Sequence, residues 1–235
     1  MLLPTACILA ALFSVAVGLV AIARKVALGL NASPAKASAA VALGVAAVAA
    51  LALGLADYGF FAHFESVPPR IALFALTVTV ASQLALGRVR AIAVLPVTGL
   101  VALQSFRVVV EVGLHALGEA GHVPPVMTWS GRNFDVLVGF SAPLVAWASH
   151  RFGAKARALV LAWNVAGLAL LVNVVVLAMT SVPGPTHLQD GVSLTIVAHV
   201  PFILLPAVLV PVALSSHIAI FRALLGSRDV SRGCP

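Results

Sequence analysis

The sequence predicts an all-α integral membrane protein, a bundle of seven transmembrane helices with its N-terminus outside and its C-terminus in the cytoplasm. Three observations predict it. First, the 235 residues are 62% hydrophobic and only 9% charged, against roughly 45–50% and about 25% in soluble domains; the mean hydropathy is +1.13. Second, seven apolar stretches approach the roughly 20 residues that a helix needs to cross a bilayer. Third, basic residues recur in alternate loops, the pattern that orients helices in membranes. No polar stretch is long enough to fold alone, so residues 1–235 are read as one transmembrane domain.

The first span, 3–23, stops at Arg24-Lys25. A cleaved signal peptide carries its basic residues ahead of the apolar run, not after it, so this stretch reads as a retained span. The second runs over 37–56, the third over 71–86 and the fourth over 91–116. The fifth covers 134–150, the sixth 158–181 and the seventh 201–224. The third and fifth are the shortest. Pro201, Pro206 and Pro211 recur in the seventh, where each removes a backbone hydrogen bond and bends the helix. Alanine and glycine are abundant throughout, and small residues let helices approach closely in lipid. The loops at 58–70, 122–135 and 182–201 carry aromatic and proline content, with Phe60, Phe61, Phe64 and Trp129 as expected interfacial anchors.

Orientation follows from charge. Arg24, Lys25, Lys36, Arg88, Arg90, Arg151, Lys155, Arg157, Arg222, Arg228 and Arg232 fall on one side of a seven-span chain; Arg70, Arg107 and Arg132 fall toward the other. The positive-inside rule puts the first group in the cytoplasm. Asp57, Glu65, Glu111, Glu119, Asp135 and Asp190 then lie toward the outside, and Asp229 inside. Cys7 and Cys234 end on opposite sides, which argues against a disulfide between them. The net charge of +7 is spread over short loops instead of forming one patch, so nucleic acid is not an expected partner. The bilayer is the expected partner, in a bacterial cytoplasmic (inner) membrane, with a small-molecule ligand beside it; the sequence names no protein partner.

The fourth span departs from apolarity. Gln104, Arg107, Glu111 and His115 are spaced by three, four and four, so they share one helix face. An ionisable group at the bilayer centre costs about 2.5–3.5 kcal/mol on insertion scales, so the stripe is expected to face the bundle interior or a water-filled cavity. One reading is structural: Arg107 and Glu111 pair within the helix and His115 caps the pair. The other is an outward-facing polar pocket completed by Asp57, Arg132, Asn133, Asp135, Asn173 and His199. There Arg107 would hold an anionic group, Glu111 would position Arg107 or take a proton, and His115 would titrate. Deeper in the seventh span, His217 sits beside Ser215 and Ser216; it is expected to bond a neighbouring helix near Asn164, with no carboxylate on that side.

Glu111 and His115 also have the i, i+4 spacing of two metal ligands, which His63 or His199 would complete; Arg107, one turn away, would compete with a metal. No HExxH occurs. A retinal Schiff base needs a lysine in the last span, but the lysines are Lys25, Lys36 and Lys155, so no retinal is expected. For haem, only His115 with His199 or His63 would serve. Ser130 and His199 lack the GxSG setting of a serine hydrolase, and no glycine-rich phosphate loop is present.

RVVVEVGLH (107–115) followed by MTWSGRNFD (127–135) resembles uncharacterised bacterial multi-pass membrane proteins, in which an R-x3-E-x3-H helix precedes a GRNFD-like segment. The resemblance covers the fourth and fifth spans. It implies no activity or cofactor, and it adds weight to Arg107, Glu111, His115, Arg132, Asn133 and Asp135. The expected function is small-molecule binding or transport. The rival is a membrane-embedded metal- or cofactor-dependent enzyme or redox protein using Glu111 and His115; the third reading is a structural subunit of a membrane complex.

Overall fold

The computed structural model describes residues 1–87 and 94–226. Arg88, Arg90, Arg228, Asp229, Arg232, Cys234 and residues 91–93 of the expected fourth span lie outside the described residues. All regular structure among the described residues is helical.

Helix α1 (Leu2–Gly29) and α2 (Pro34–Asp57) form a hairpin. The Ser33 side chain accepts from the Lys36 N–H and Pro34 opens α2, the cap-then-proline signature of a helix start. Helix α3 spans Arg70–Gly87. The expected fourth span is two helices in line, α4 (Val97–Leu103) and α5 (Phe106–Glu119). Helix α4 opens at Val97, directly after Pro96, which biases Leu95 away from helical backbone. Helix α6 (Val136–Phe152) turns at 153–156 into α7 (Arg157–Ser181). A π-helical turn at Leu205–Leu209 leads into α8 (Val210–Gly226).

Among the described residues, six helical stretches are long and apolar enough to cross a membrane: Leu2–Gly29, Pro34–Asp57, Arg70–Gly87, Val97–Glu119, Val136–Ser181 and Leu205–Leu225. The fifth is 46 residues long and doubles back. Trp163 Nε1 donates to Ser141 Oγ at 2.8 Å, a distance that a straight helix of about 1.5 Å per residue could not close over the intervening chain. Phe13, Leu43 and Leu144 are 70–72% exposed. An apolar surface of this kind belongs in lipid, where only internally bonded helices and barrels are viable.

Two apolar clusters hold the helices together. The larger joins Ile8 and Val15 of α1, Ala52 and Ala56 of α2, Phe106 of α5, Leu171 of α7 and Leu209 of the π turn. Phe61 and Phe64 belong to it and are buried, so these two are core residues and not the interfacial anchors expected. The smaller cluster gathers the other end of the bundle: Val26 of α1, Leu86 of α3, Val101 of α4, Val145 of α6, Val160 of α7 and Ile220 of α8. Arg157 donates to the Leu224 carbonyl at this end, and Arg222 donates to Gln83 Oε1 at 3.4 Å. Helix α5 packs against α1 on one side and α6 on the other. That position carries its polar stripe into the middle of the bundle.

Candidate functional site

The stripe begins at a tightened turn. Gln104, Ser105, Arg107 and Val108 donate their backbone N–H to the residue three before, at 3.1–3.2 Å. Ser105 Oγ also donates to the Ala102 carbonyl at 2.8 Å, a local bond that competes with regular helix. Short i to i−3 stretches inside a helix often mark a hinge or a sequence under strain. Gln104 is fully buried and donates Nε2 to the Ala213 carbonyl of α8 at 3.2 Å; its Oε1 has no partner.

Arg107, 2% exposed, is the centre of the network. Its Nη1 donates to Asp135 Oδ1 at 2.8 Å and to the Gly167 carbonyl at 3.5 Å. Its Nη2 lies 3.2 Å from His217 Nε2. A guanidinium has no acceptor, so Nε2 accepts and the imidazole proton sits on Nδ1. Nδ1 then donates to Asn164 Oδ1 at 2.7 Å. Asn164 Nδ2 in turn donates to the His217 carbonyl at 3.1 Å, so one amide fixes both the ring and the backbone behind it.

Glu111, 1% exposed, is held separately. Asn133 Nδ2 donates to its Oε1 at 2.9 Å and Oε2 at 2.8 Å, and to the Met127 carbonyl at 3.0 Å. Asn133 Oδ1 accepts from the Asp135 N–H at 3.1 Å, the local bond by which an Asn starts a turn. Asn133 therefore ties the loop before α6 to α5 and sets Asp135 opposite Arg107. Two glycines make the approach possible. A Cβ on Gly139 would lie 2.7 Å from the Val108 backbone nitrogen, and one on Gly167 would lie 2.8 Å from His217 Cε1.

Beside the network is a cavity of about 140 Å³ between α3, α5, α7, the π turn and α8. Its charged lining residues are Arg107, Glu111 and Asp135; the rest of the wall is apolar, including Ile71 and Ala75 of α3, Val174 and Ala178 of α7 and Leu205.

The structure thus gathers Gln104, Arg107, Glu111, Asn133 and Asp135 of the expected residues. The others lie elsewhere. His115 stacks on Trp129 with ring centroids 4.2 Å apart, and its Nδ1 is buried without a partner. Arg132 is exposed and enters only through its carbonyl, which accepts from Asn173 Nδ2 at 2.8 Å. His199, His63 and Asp57 are exposed. The expected Arg107–Glu111 pair does not form. Arg107 reaches across to Asp135 instead, because α6 comes close enough to offer a carboxylate while Asn133 occupies Glu111. Among the described residues no group of three or more His, Cys, Asp or Glu is placed to hold a metal ion, so Glu111, His115, His199 and His63 do not converge.

The His217–Asn164 bond matches the sequence reading. Its connection through Arg107 to a carboxylate does not, since no carboxylate was expected on that side. Gly139, Gly167 and the apolar cavity carried no spacing signal.

No curated protein and no solved structure matches the chain. A match to a family model runs from the loop before α3 to the end of α8 and takes in every residue of the network. Residues 59–225 match the model of a domain of unknown function, DUF8737, and the chain belongs to that family.

Proposed function

We propose that this is a seven-pass protein of a bacterial inner membrane that binds, and as a transporter would pass on, a small molecule held in the cavity beside Arg107, Glu111 and Asp135. The observation that carries the reading is the placement of these three ionisable side chains on an otherwise apolar cavity wall. Ionisable groups inside a membrane domain are costly and are kept at binding sites and substrate or proton pathways. The Nη1–H of Arg107 fixes Asp135, and Asn133 fixes Glu111, so the charged wall is pre-organised.

The reversal at 153–156 supports the seven passes, with α6 and α7 read as two crossings. Basic residues near the ends of α1, α6, α7 and α8 support a cytoplasmic face there, with the N-terminus outside. Two cysteine variants test this. In intact cells, Asp190→Cys is expected to react with a membrane-impermeant maleimide, and Ala154→Cys only after lysis. Equal labelling of both in intact cells overturns the topology.

Binding is tested with toluene. A ligand that binds only the folded state raises the melting temperature with its concentration. Toluene is expected to do so for the detergent-purified protein. Ala178→Trp, which fills the cavity, should remove the response while leaving the helical content intact. A wild type that gives no response overturns the reading.

A further inference from the structure

We infer that the molecule taken by this cavity is a small hydrophobic cation, an amine with an apolar body about the size of one aromatic ring, whose charged head pairs with Glu111. The inference rests on the cavity reading above and adds the ligand class.

Size sets the body. The cavity measures about 140 Å³; an apolar cavity of about 150 Å³ is known to admit benzene. The wall outside the charged patch offers only aliphatic, phenylalanine and methionine side chains, which suit an uncharged ring or a short branched chain.

Charge sets the head. The wall carries two carboxylates and one guanidinium. Arg107 is committed to Asp135 at 2.8 Å, the ion pair of this wall. Glu111 has the neutral Asn133 amide as its hydrogen-bonding partner. Arg107 and His115 lie on its own helix, with Arg107 engaged and His115 stacked on Trp129. Asp135 stands at the start of α6, and His217 of α8 lies behind Arg107. Cys7 of α1 lies near Gly113. The parts of α3 and α7 that line the cavity contribute no titratable group. Arg107 is thus within electrostatic range of Glu111 but is hydrogen-bonded to Asp135, and no cation among the described residues is hydrogen-bonded to Glu111 itself.

A buried charge is tolerated when paired. An ionised carboxylate offers about four lone-pair sites, so the Asn133 bonds leave room for an ammonium donor. An anionic ligand would find both terminal nitrogens of Arg107 engaged, only its buried Nε without a partner, and two carboxylates facing it. This reverses the role expected for Arg107 from the sequence, which was to hold an anion.

The test uses three molecules of one shape: benzylamine, cationic at neutral pH, benzyl alcohol, and benzoate. Binding to the wild type in a non-ionic detergent is measured by calorimetry. Benzylamine is expected to bind about 10- to 100-fold more tightly than benzyl alcohol, the span of a charge-assisted bond, and benzoate most weakly. Glu111→Gln should lose the preference for the amine over the alcohol. Equal binding of amine and alcohol, or a preference unchanged in Glu111→Gln, overturns the cation while leaving the cavity reading in place. Tighter binding of benzoate overturns it and assigns the head to Arg107. Failure of all three and of toluene overturns the cavity reading itself. The comparison within the wild type decides the ligand's charge even if Glu111→Gln does not fold.

Discussion

Asp135→Ala is expected to destabilise the protein by about 3–5 kcal/mol, the usual cost of removing one partner of a buried ion pair. The reason is the state of Arg107 afterwards. It is 2% exposed, and its remaining neighbours are the neutral Gly167 carbonyl and His217. A guanidinium left in that setting has lost its hydrogen-bonded carboxylate without gaining water, and Glu111, which acts on it only at a distance, is held by Asn133. Thermal melts in detergent, followed by circular dichroism, measure the loss. The double variant Arg107→Met/Asp135→Leu is expected to recover most of it, because replacing a buried pair by apolar residues of similar volume is often neutral. A double variant as unstable as Asp135→Ala would mean that the shape of the site, not its charge, is what the pair maintains.

Gly139→Val is expected to cost about 2–3 kcal/mol, at the upper end of overpacking effects. A Cβ at this position would lie 2.7 Å from both the Val108 nitrogen and its Cγ2, and 3.3 Å from the Arg107 carbonyl carbon. Two of those atoms are backbone, so no rotamer change relieves the contact and α5 and α6 must separate. Both Arg107–Asp135 and Glu111–Asn133 tie α5 to the segment that leads into α6. The substitution should therefore lower stability and abolish ligand stabilisation together, although it touches no polar atom. A melting temperature within a degree or two of the wild type would show that the helices part without cost.

The contrast between these two positions explains what could be read in advance. Apolar length alone gave α2 and α3 to within three residues, because bilayer thickness fixes how long such a run must be, whereas α1 continues six residues past its expected stop, carrying Arg24 and Lys25 within the helix. The stripe on α5 was legible because helical spacing puts Gln104, Arg107 and Glu111 on one face. The partner of Arg107 was not. Local spacing favours Glu111, one turn away, over Asp135, which lies 28 residues on. What decides between them is the depth to which α6 can approach, and that depends on a hydrogen atom at Gly139. The loop before α6 was read as a supplier of Arg132, Asn133 and Asp135 as equals. In the fold Asn133 and Asp135 point inward, while Arg132 is exposed. Alternation of that kind in an irregular segment has no period to detect. The cavity was illegible for the same reason: its apolar walls come from four helices and a π turn, none of which signals that its neighbours stop short of it.

The π-helical turn at Leu205–Leu209 also sets the phase of everything after it. Each residue of an α-helix advances the side-chain direction by about 100°, and a π turn accommodates one residue more than an α turn would. His217, Ser216 and Ala213 face where they do because that extra residue is present upstream. Deleting one residue between Leu205 and Leu209 would wind α8 back by about 100°, turning His217 away from Arg107 and Asn164 with every side chain of the site still encoded. The arrangement of this polar centre is thus a matter of counting as much as of chemistry, and a length change two to three turns away can switch it off.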